Sequence, residues 1–311
     1  MATYLVTGGA GFIGGHIVEE LVRRGESVRV LDNFSTGKRD TLAALRESIE
    51  LVEGDIRSYH IVREAVKDVD YILHQGALPS VPRSINDPIT TNEVNVGGTL
   101  NLLDAARDAG VKRVVYASSS SVYGANRDLP KNEDMVPLPI SPYAVAKLTG
   151  EKYCQVFSWT YGLETVGLRY FNVFGPRQDP QSAYAAFIPK FITGMLTDAS
   201  LVIDGDGTQS RDFTYVSNVV QANLRAAVAE GVGGEVFNIA CGQSMSLNEV
   251  VEYLRTIIGT TGRISYGPSR PGDVARSLAD IGRATERLGY RPEVDLEEGL
   301  RRTVGWFRQG V

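Results

Sequence analysis

A tyrosine and a lysine stand four residues apart in Ser141-Pro142-Tyr143-Ala144-Val145-Ala146-Lys147. Four residues is about one helical turn, so on a helix the two side chains share a face. Pro142 fits the first turn of such a helix, where its missing N–H costs nothing. A free phenol has a pKa of about 10 and keeps its proton at neutral pH. A fixed ammonium beside it favours the phenolate and is expected to lower that value. Such a pair can take a proton from a hydroxyl and later return it. The spacing alone also fits an ordinary amphipathic helix with a half-buried Tyr143 and a solvated Lys147. The elements around it have to decide.

Thr3 to Thr7 is short, apolar and β-rich, as a buried parallel strand is. Gly8, Gly11 and Gly14 follow with the spacing G-x-x-G-x-x-G, and a helical pattern runs from His16 to Arg24. Glycines there let backbone N–H groups and a helix N-terminus approach a diphosphate. A second strand, Ser27 to Leu31, ends at Asp32, about 20 residues past the glycines. An acid there can bind both ribose hydroxyls of an adenosine and repel a 2′-phosphate. That favours NAD over NADP, tempered by Lys38 and Arg39 nearby; a turn or capping role is the alternative. A third strand, Ile49 to Glu53, leads to Gly54-Asp55-Ile56, where Asp55 meets an adenine amine or caps the next helix. A fourth strand, Asp70 to His74, runs into Gln75-Gly76-Ala77, small enough for backbone to lie against a cofactor. Val81-Pro82-Arg83-Ser84 reads as a loop whose Arg83 reaches a substrate or solvent. Thr90 to Ala109 reads as one long helix. Its Gly97-Gly98 pair suggests close backbone packing, and Asn95 a bend fixed in the neighbouring sheet. A fifth strand, Val111 to Ala117, ends in four serines, Ser118 to Ser121. A serine there points into the crevice where such sheets bind ligands; a serine-rich loop is the plainer reading. The pattern predicts an α/β fold: a Rossmann-type doubly wound parallel sheet with a smaller C-terminal α/β substrate lobe.

The 311 residues carry a net charge of −5. An acidic chain is a poor partner for nucleic acid or an anionic membrane. Cys154 and Cys241 sit in no spaced cluster, so neither a disulfide framework nor a metal site is expected. His16, His60 and His74 are scattered and read as core or surface residues. With no signal peptide and no apolar run of membrane length, a cytoplasmic location is expected.

TGGAGFIG (7–14), SSSSVYG (118–124), SPYAVAK (141–147) and RYFNVFGPRQDP (169–180) occur in one order. Together they resemble the extended short-chain dehydrogenase/reductases, and among them the nucleotide-sugar 4-epimerases. The likeness spans essentially the whole chain and extends to bacterial UDP-N-acetylglucosamine 4-epimerases of surface polysaccharide synthesis. It implies NAD as cofactor and a UDP-sugar as substrate. In that resemblance Tyr143 is the catalytic base, and Lys147 is its partner and holds the nicotinamide ribose. Ser119 bridges the sugar O4 and Tyr143, with Ser120 sharing the task. Gly8, Gly11, Phe12, Ile13 and Gly14 form the diphosphate loop. Asp32 and Asn33 meet the adenosine ribose and Asp55 with Ile56 the adenine; Gln75, Ala77 and Tyr170 complete the cofactor site. Related 4,6-dehydratases carry Asp-Glu after the hydroxyl residue, and related decarboxylases usually a Glu two positions on. Ser120 and Ser121 stand there instead, which disfavours both reactions.

A sixth strand, Leu163 to Arg169, leads to Asn172, which resembles the asparagine that binds the sugar diphosphate. Tyr184 to Thr197 reads as a helix roofing the substrate, and Leu201 to Gly207 as a strand and turn. Arg211 and Arg270 resemble the arginines that clamp the diphosphate, a match for bidentate guanidinium. Asp273 resembles the acid on the uridine ribose. Glu235 to Ala240 returns to the sheet, and helices near Ser246–Ile258 and Asp295–Phe307 close the smaller lobe. Ser277 falls where epimerases restricted to UDP-glucose often carry tyrosine. A small side chain there leaves room for an N-acetyl group, unless it is only a small loop residue. The expected division is a cofactor domain of 1–175 with 213–240 returning, and a UDP-sugar lobe of 176–212 and 241–311. The resemblance further implies a homodimer through the helices near 90–109 and 142–161. UDP-glucose or UDP-glucuronate 4-epimerisation, and NAD sensing without catalysis, are the alternatives.

Overall fold

Seven of the apolar runs pair in parallel in a computed structural model, which describes residues 1–180, 186–268 and 275–310. Arg270 and Asp273 lie outside the described residues. The strands are β1 (Thr3–Thr7), β2 (Ser27–Asp32), β3 (Glu50–Glu53), β4 (Tyr71–His74), β5 (Arg113–Ser119), β6 (Glu164–Tyr170) and β7 (Glu235–Ile239). Their order is β7-β6-β5-β4-β1-β2-β3. The order reverses between β1 and β4, and that reversal leaves a ligand crevice over the carboxyl ends.

The helices are α1 (Phe12–Arg23), α2 (Tyr59–Ala65), α3 (Val81–Asn86), α4 (Pro88–Asn92), α5 (Gly98–Asp108), α6 (Pro142–Tyr161), α7 (Phe187–Leu196), α8 (Val216–Val228), α9 (Leu247–Ile258), α10 (Gly282–Leu288) and α11 (Leu296–Arg308). Successive strand residues face opposite layers. Leu5, Leu31, Ile72 and Val114 pack with α2, α5 and α6. Val6, Val30, Val115 and Leu168 pack with α1 and α8. Burial on both faces explains why these strands read as unbroken apolar runs. Each such side chain contributes about 1.5–3 kcal/mol relative to exposure. A further core joins α7, α9 and α11 through Phe191, Leu254, Val304 and Phe307. Among the described residues no helix is long and apolar enough to cross a membrane.

Several expectations change. The Arg83 segment is helix, not loop: the Ser80 hydroxyl accepts the Arg83 N–H at 3.2 Å and Pro82 sits in the first turn of α3. The helix expected over Thr90–Ala109 is α4, a wide π turn at Glu93–Gly97, and α5. Asn95, in that wide turn, accepts the Leu78 N–H at 2.7 Å and donates to the Leu78 carbonyl at 3.0 Å. It therefore ties down the loop after β4 and not a bend in the sheet. Gly98 lies against the Ile56 side chain, and Gly97 against nothing within 4 Å, so neither meets another backbone. α1 starts at Phe12, four residues before the periodicity suggested. α7 starts at Phe187; the first residues of its expected span, Tyr184 and Ala185, lie outside the described residues.

Candidate active site

The carboxyl ends of β1, β2, β4, β5 and β6 open onto one cleft of about 550 Å³. All the residues expected to bind cofactor line it: Gly8, Gly11, Phe12, Ile13, Gly14, Asp32, Asn33, Asp55, Ile56, Gln75, Ala77, Tyr143, Lys147 and Tyr170. The glycine turn is built for close approach. Gly8 has φ +68°, and a Cβ there would stand 2.8 Å from the Gly76 Cα. A Cβ on Gly14 would run into the Gly8 carbonyl. Behind this turn α1 begins with no side-chain cap and no acid in its first turn. Its first N–H groups and positive end are thus left for an anion such as a diphosphate.

Asp32 is buried at the tip of β2, where its carboxylate accepts the N–H groups of Ala10 (2.9 Å) and Phe34 (2.8 Å). Each oxygen retains a lone pair, which fits ribose hydroxyls. Lys38 pairs with Asp179 at 3.1 Å and Arg39 with Glu53 at 2.6 Å, so both cations near Asp32 are engaged by carboxylates. Asp55 does not cap α2, whose N-cap is Ser58. It accepts the Arg57 N–H and side chain and the Asn33 amide at 2.8 Å. The Arg57 hydrogen bond is the main reason its carboxyl is pulled down to about 2.

Under the cleft, buried His74 links β1, β4 and α5. Its Nδ1 lies 2.7 Å from the Thr7 hydroxyl and its Nε2 3.0 Å from the Thr99 hydroxyl. Thr99 donates to the Asn95 carbonyl and Thr7 accepts the Gly76 N–H. Those directions assign a neutral ring protonated on Nε2. Burial agrees, holding His74 down at about 3. The chain of bonds fixes the Gln75–Leu78 wall of the cleft, and no motif announces that link to a histidine.

Tyr143 and Lys147 stand on α6 as expected, with the Lys147 ammonium 5.9 Å from the centre of the Tyr143 ring. Lys147 is buried and donates to the Ala117 carbonyl at 2.8 Å. Ser119, the last residue of β5, has its hydroxyl beside Tyr143. The electrostatics correct the sequence expectation. Burial pushes the phenol above its ordinary value and the Ser119 hydroxyl pulls it back. Burial likewise lowers Lys147 to about 8. A dry crevice penalises phenolate and ammonium alike, so proximity of a lysine does not by itself make the phenol acidic.

Of the residues expected at the substrate, Arg83 and Tyr143 line the cleft, while Ser119, Ser120, Asn172, Arg211 and Ser277 stand outside its lining. Ser120 opens a 3₁₀ turn at Ser120–Tyr123, whose N-cap is the Ser119 hydroxyl. Asn172, at φ +33°, donates to the Asp212 carbonyl at 3.1 Å. Arg211 lies in a two-residue strand paired with Met245–Ser246. The Ser277 N–H donates to the neighbouring Ser210 carbonyl at 3.0 Å. Gln178 and Asp179 also line the cleft. Both sit inside the RYFNVFGPRQDP motif, the one available signal for them.

The family model for the NAD-dependent epimerase/dehydratase family matches residues 4–240. A putative UDP-glucose 4-epimerase of Methanocaldococcus jannaschii is 40% identical over 98% of this chain and 98% of its own length. A UDP-N-acetylglucosamine 4-epimerase of Methanobrevibacter ruminantium, solved with UDP-N-acetylmuramic acid, superposes with a TM-score of 0.95 at 41% identity, covering 100% of this chain and 99% of that one. A Thermus thermophilus UDP-glucose 4-epimerase solved with NAD gives 0.90 at 36%, covering 99% and 100%. The chain therefore belongs to the NAD-dependent epimerase/dehydratase family. Its cofactor is NAD, and its enzyme class is the UDP-sugar 4-epimerase.

Proposed function

We propose that this enzyme interconverts UDP-N-acetylglucosamine and UDP-N-acetylgalactosamine, with the site residues in the roles their positions suggest. Bound NAD would supply a reversible hydride acceptor for sugar C4, held by the glycine turn and Asp32. Tyr143, as phenolate, takes the O4 proton, directly or across Ser119, and gives it back after the sugar has turned over; the positive nicotinamide of bound NAD would offset the burial that opposes that phenolate. The Ser119 hydroxyl beside the phenol, which favours the phenolate, supports that role. Lys147, pinned to the Ala117 carbonyl, holds the ribose and faces the phenol. Asn172, Arg211, Arg270 and Asp273 grip the UDP end, which keeps the sugar at high effective concentration without locking its ring. In this reading residues 1–175 and 213–240 carry the cofactor, and 176–212 with 241–311 carry the nucleotide sugar.

The N-acetyl preference rests on Ser277. It is a small residue held by its backbone beside the segment that carries Arg211. Ser277→Tyr should lower kcat/KM for UDP-N-acetylglucosamine relative to UDP-glucose by about tenfold or more, through loss of pocket volume. Competition between the two sugars measures the ratio; an unchanged ratio removes Ser277 from specificity.

The same reading makes the enzyme a cytoplasmic homodimer. On α6, Val145 (50% exposed), Val156 (44%) and Trp159 (73%) are apolar side chains open to solvent, and Ile89 on α4 is 72% exposed. A second copy packing there would complete a four-helix contact. Sedimentation velocity over a dilution series should show a dimer; a monomer at every concentration contradicts it.

A further inference from the structure

Three successive turns of α6 each hold one of three successive residues of β5. Tyr143 faces the Ser119 hydroxyl, and Lys147 donates to the Ala117 carbonyl at 2.8 Å. One turn further on, Glu151 accepts the Ser118 hydroxyl at 2.5 Å. Ser118 alternates with Ala117 along the strand, so its side chain turns to α6 while that of Ala117 turns to the opposite layer. Glu151 is 1% exposed, and the proton-transfer chemistry gives it no task. It is nonetheless fully engaged: Arg169, 3% exposed on β6, grips it with Nε at 2.9 Å and Nη2 at 2.8 Å. Arg169 lies directly across from Ser118 in the β5–β6 pairing, and its guanidinium rests 4.8 Å over the Tyr123 ring. A buried ion pair is a poor way to gain stability over apolar packing, so its geometry invites another explanation.

We propose that Glu151 is a positioning residue for the reaction. Backed by Arg169, it grips Ser118 and fixes the end of β5 where the Ser119 hydroxyl meets Tyr143. The inference rests on Tyr143 being the acid–base group. Without the grip, β5 keeps its sheet partners, but its last residue is free to shift against α6. A hydrogen bond weakens steeply as its distance and angle depart from the optimum, so a small shift at Ser119 is felt at the phenol.

Ser118→Ala removes the link and leaves the Glu151–Arg169 pair in place. The expected result is a folded, NAD-containing protein whose kcat falls about tenfold at unchanged KM. An ultraviolet difference titration of tyrosinate, with Tyr143→Phe as the subtraction, reads the phenol without any sugar. Its Tyr143 step should move up in Ser118→Ala. Glu151→Gln, which still accepts the Ser118 hydroxyl, should retain more kcat than Glu151→Ala. Wild-type kcat together with an unmoved Tyr143 step in Ser118→Ala overturns the proposal. Should Ser118→Ala not fold, Glu151→Gln decides, and kcat as low as in Glu151→Ala overturns it. If the wild-type protein turns over no UDP-sugar, the sugar assignment fails separately, and the titration still tests Glu151.

Discussion

Tyr143→Phe is expected to lower kcat by about 10²–10⁴-fold, the range for losing a positioned general acid–base group. The substitution removes one oxygen, the atom beside the Ser119 hydroxyl, and leaves the ring on α6. Lys147 keeps its bond to the Ala117 carbonyl, and the glycine turn and Asp32 are untouched. UDP-sugar affinity and bound NAD should therefore stay near wild type. A loss confined to KM would mean that Tyr143 only binds substrate. Substantial surviving turnover would remove it as the base.

Gly14→Ala should yield a folded protein carrying about a tenth or less of its normal NAD, equivalent to at least about 1.4 kcal/mol of lost binding. The new methyl meets the Gly8 carbonyl. Gly8 is held in place: its N–H donates to the Leu31 carbonyl at 2.8 Å and its carbonyl accepts the Gly11 N–H at 3.1 Å. The clash has to be relieved by opening the turn or pushing out the start of α1, and both spoil the array of N–H groups meant for the diphosphate. NAD released on denaturation, measured per chain, gives the answer. A full complement of NAD would show that the turn tolerates the methyl and that the cradle is not what retains the cofactor.

The sheet was legible because its inner strands are buried on both faces and four strands run into a small or polar residue at the carboxyl end. Gly8, Asp32, Asp55 and Gln75 mark four strand ends, and all of them line the cleft. What the sequence hid are connections between elements. Nothing in the chain says that His74 joins Thr7 to Thr99, or that Glu151 on α6 meets Arg169 on β6. These pairs are set by how α5 and α6 pack on the sheet. Local misreadings have local causes. Ser80 with Pro82 is a helix start, but the short span of α3 concealed its period. The sign of the shift at Tyr143 was misjudged because spacing reports proximity of a charge and not the burial that opposes it.

The account is tested most directly by an NMR time course on the purified protein with UDP-N-acetylglucosamine and no added cofactor. The anomeric proton of UDP-N-acetylgalactosamine should appear and grow to a constant ratio, with bound NAD sustaining every turnover. If it never appears, with or without added NAD, while UDP-glucose or UDP-glucuronate is converted, the N-acetyl assignment is wrong. If none of the three is converted, the proposed epimerisation itself is contradicted.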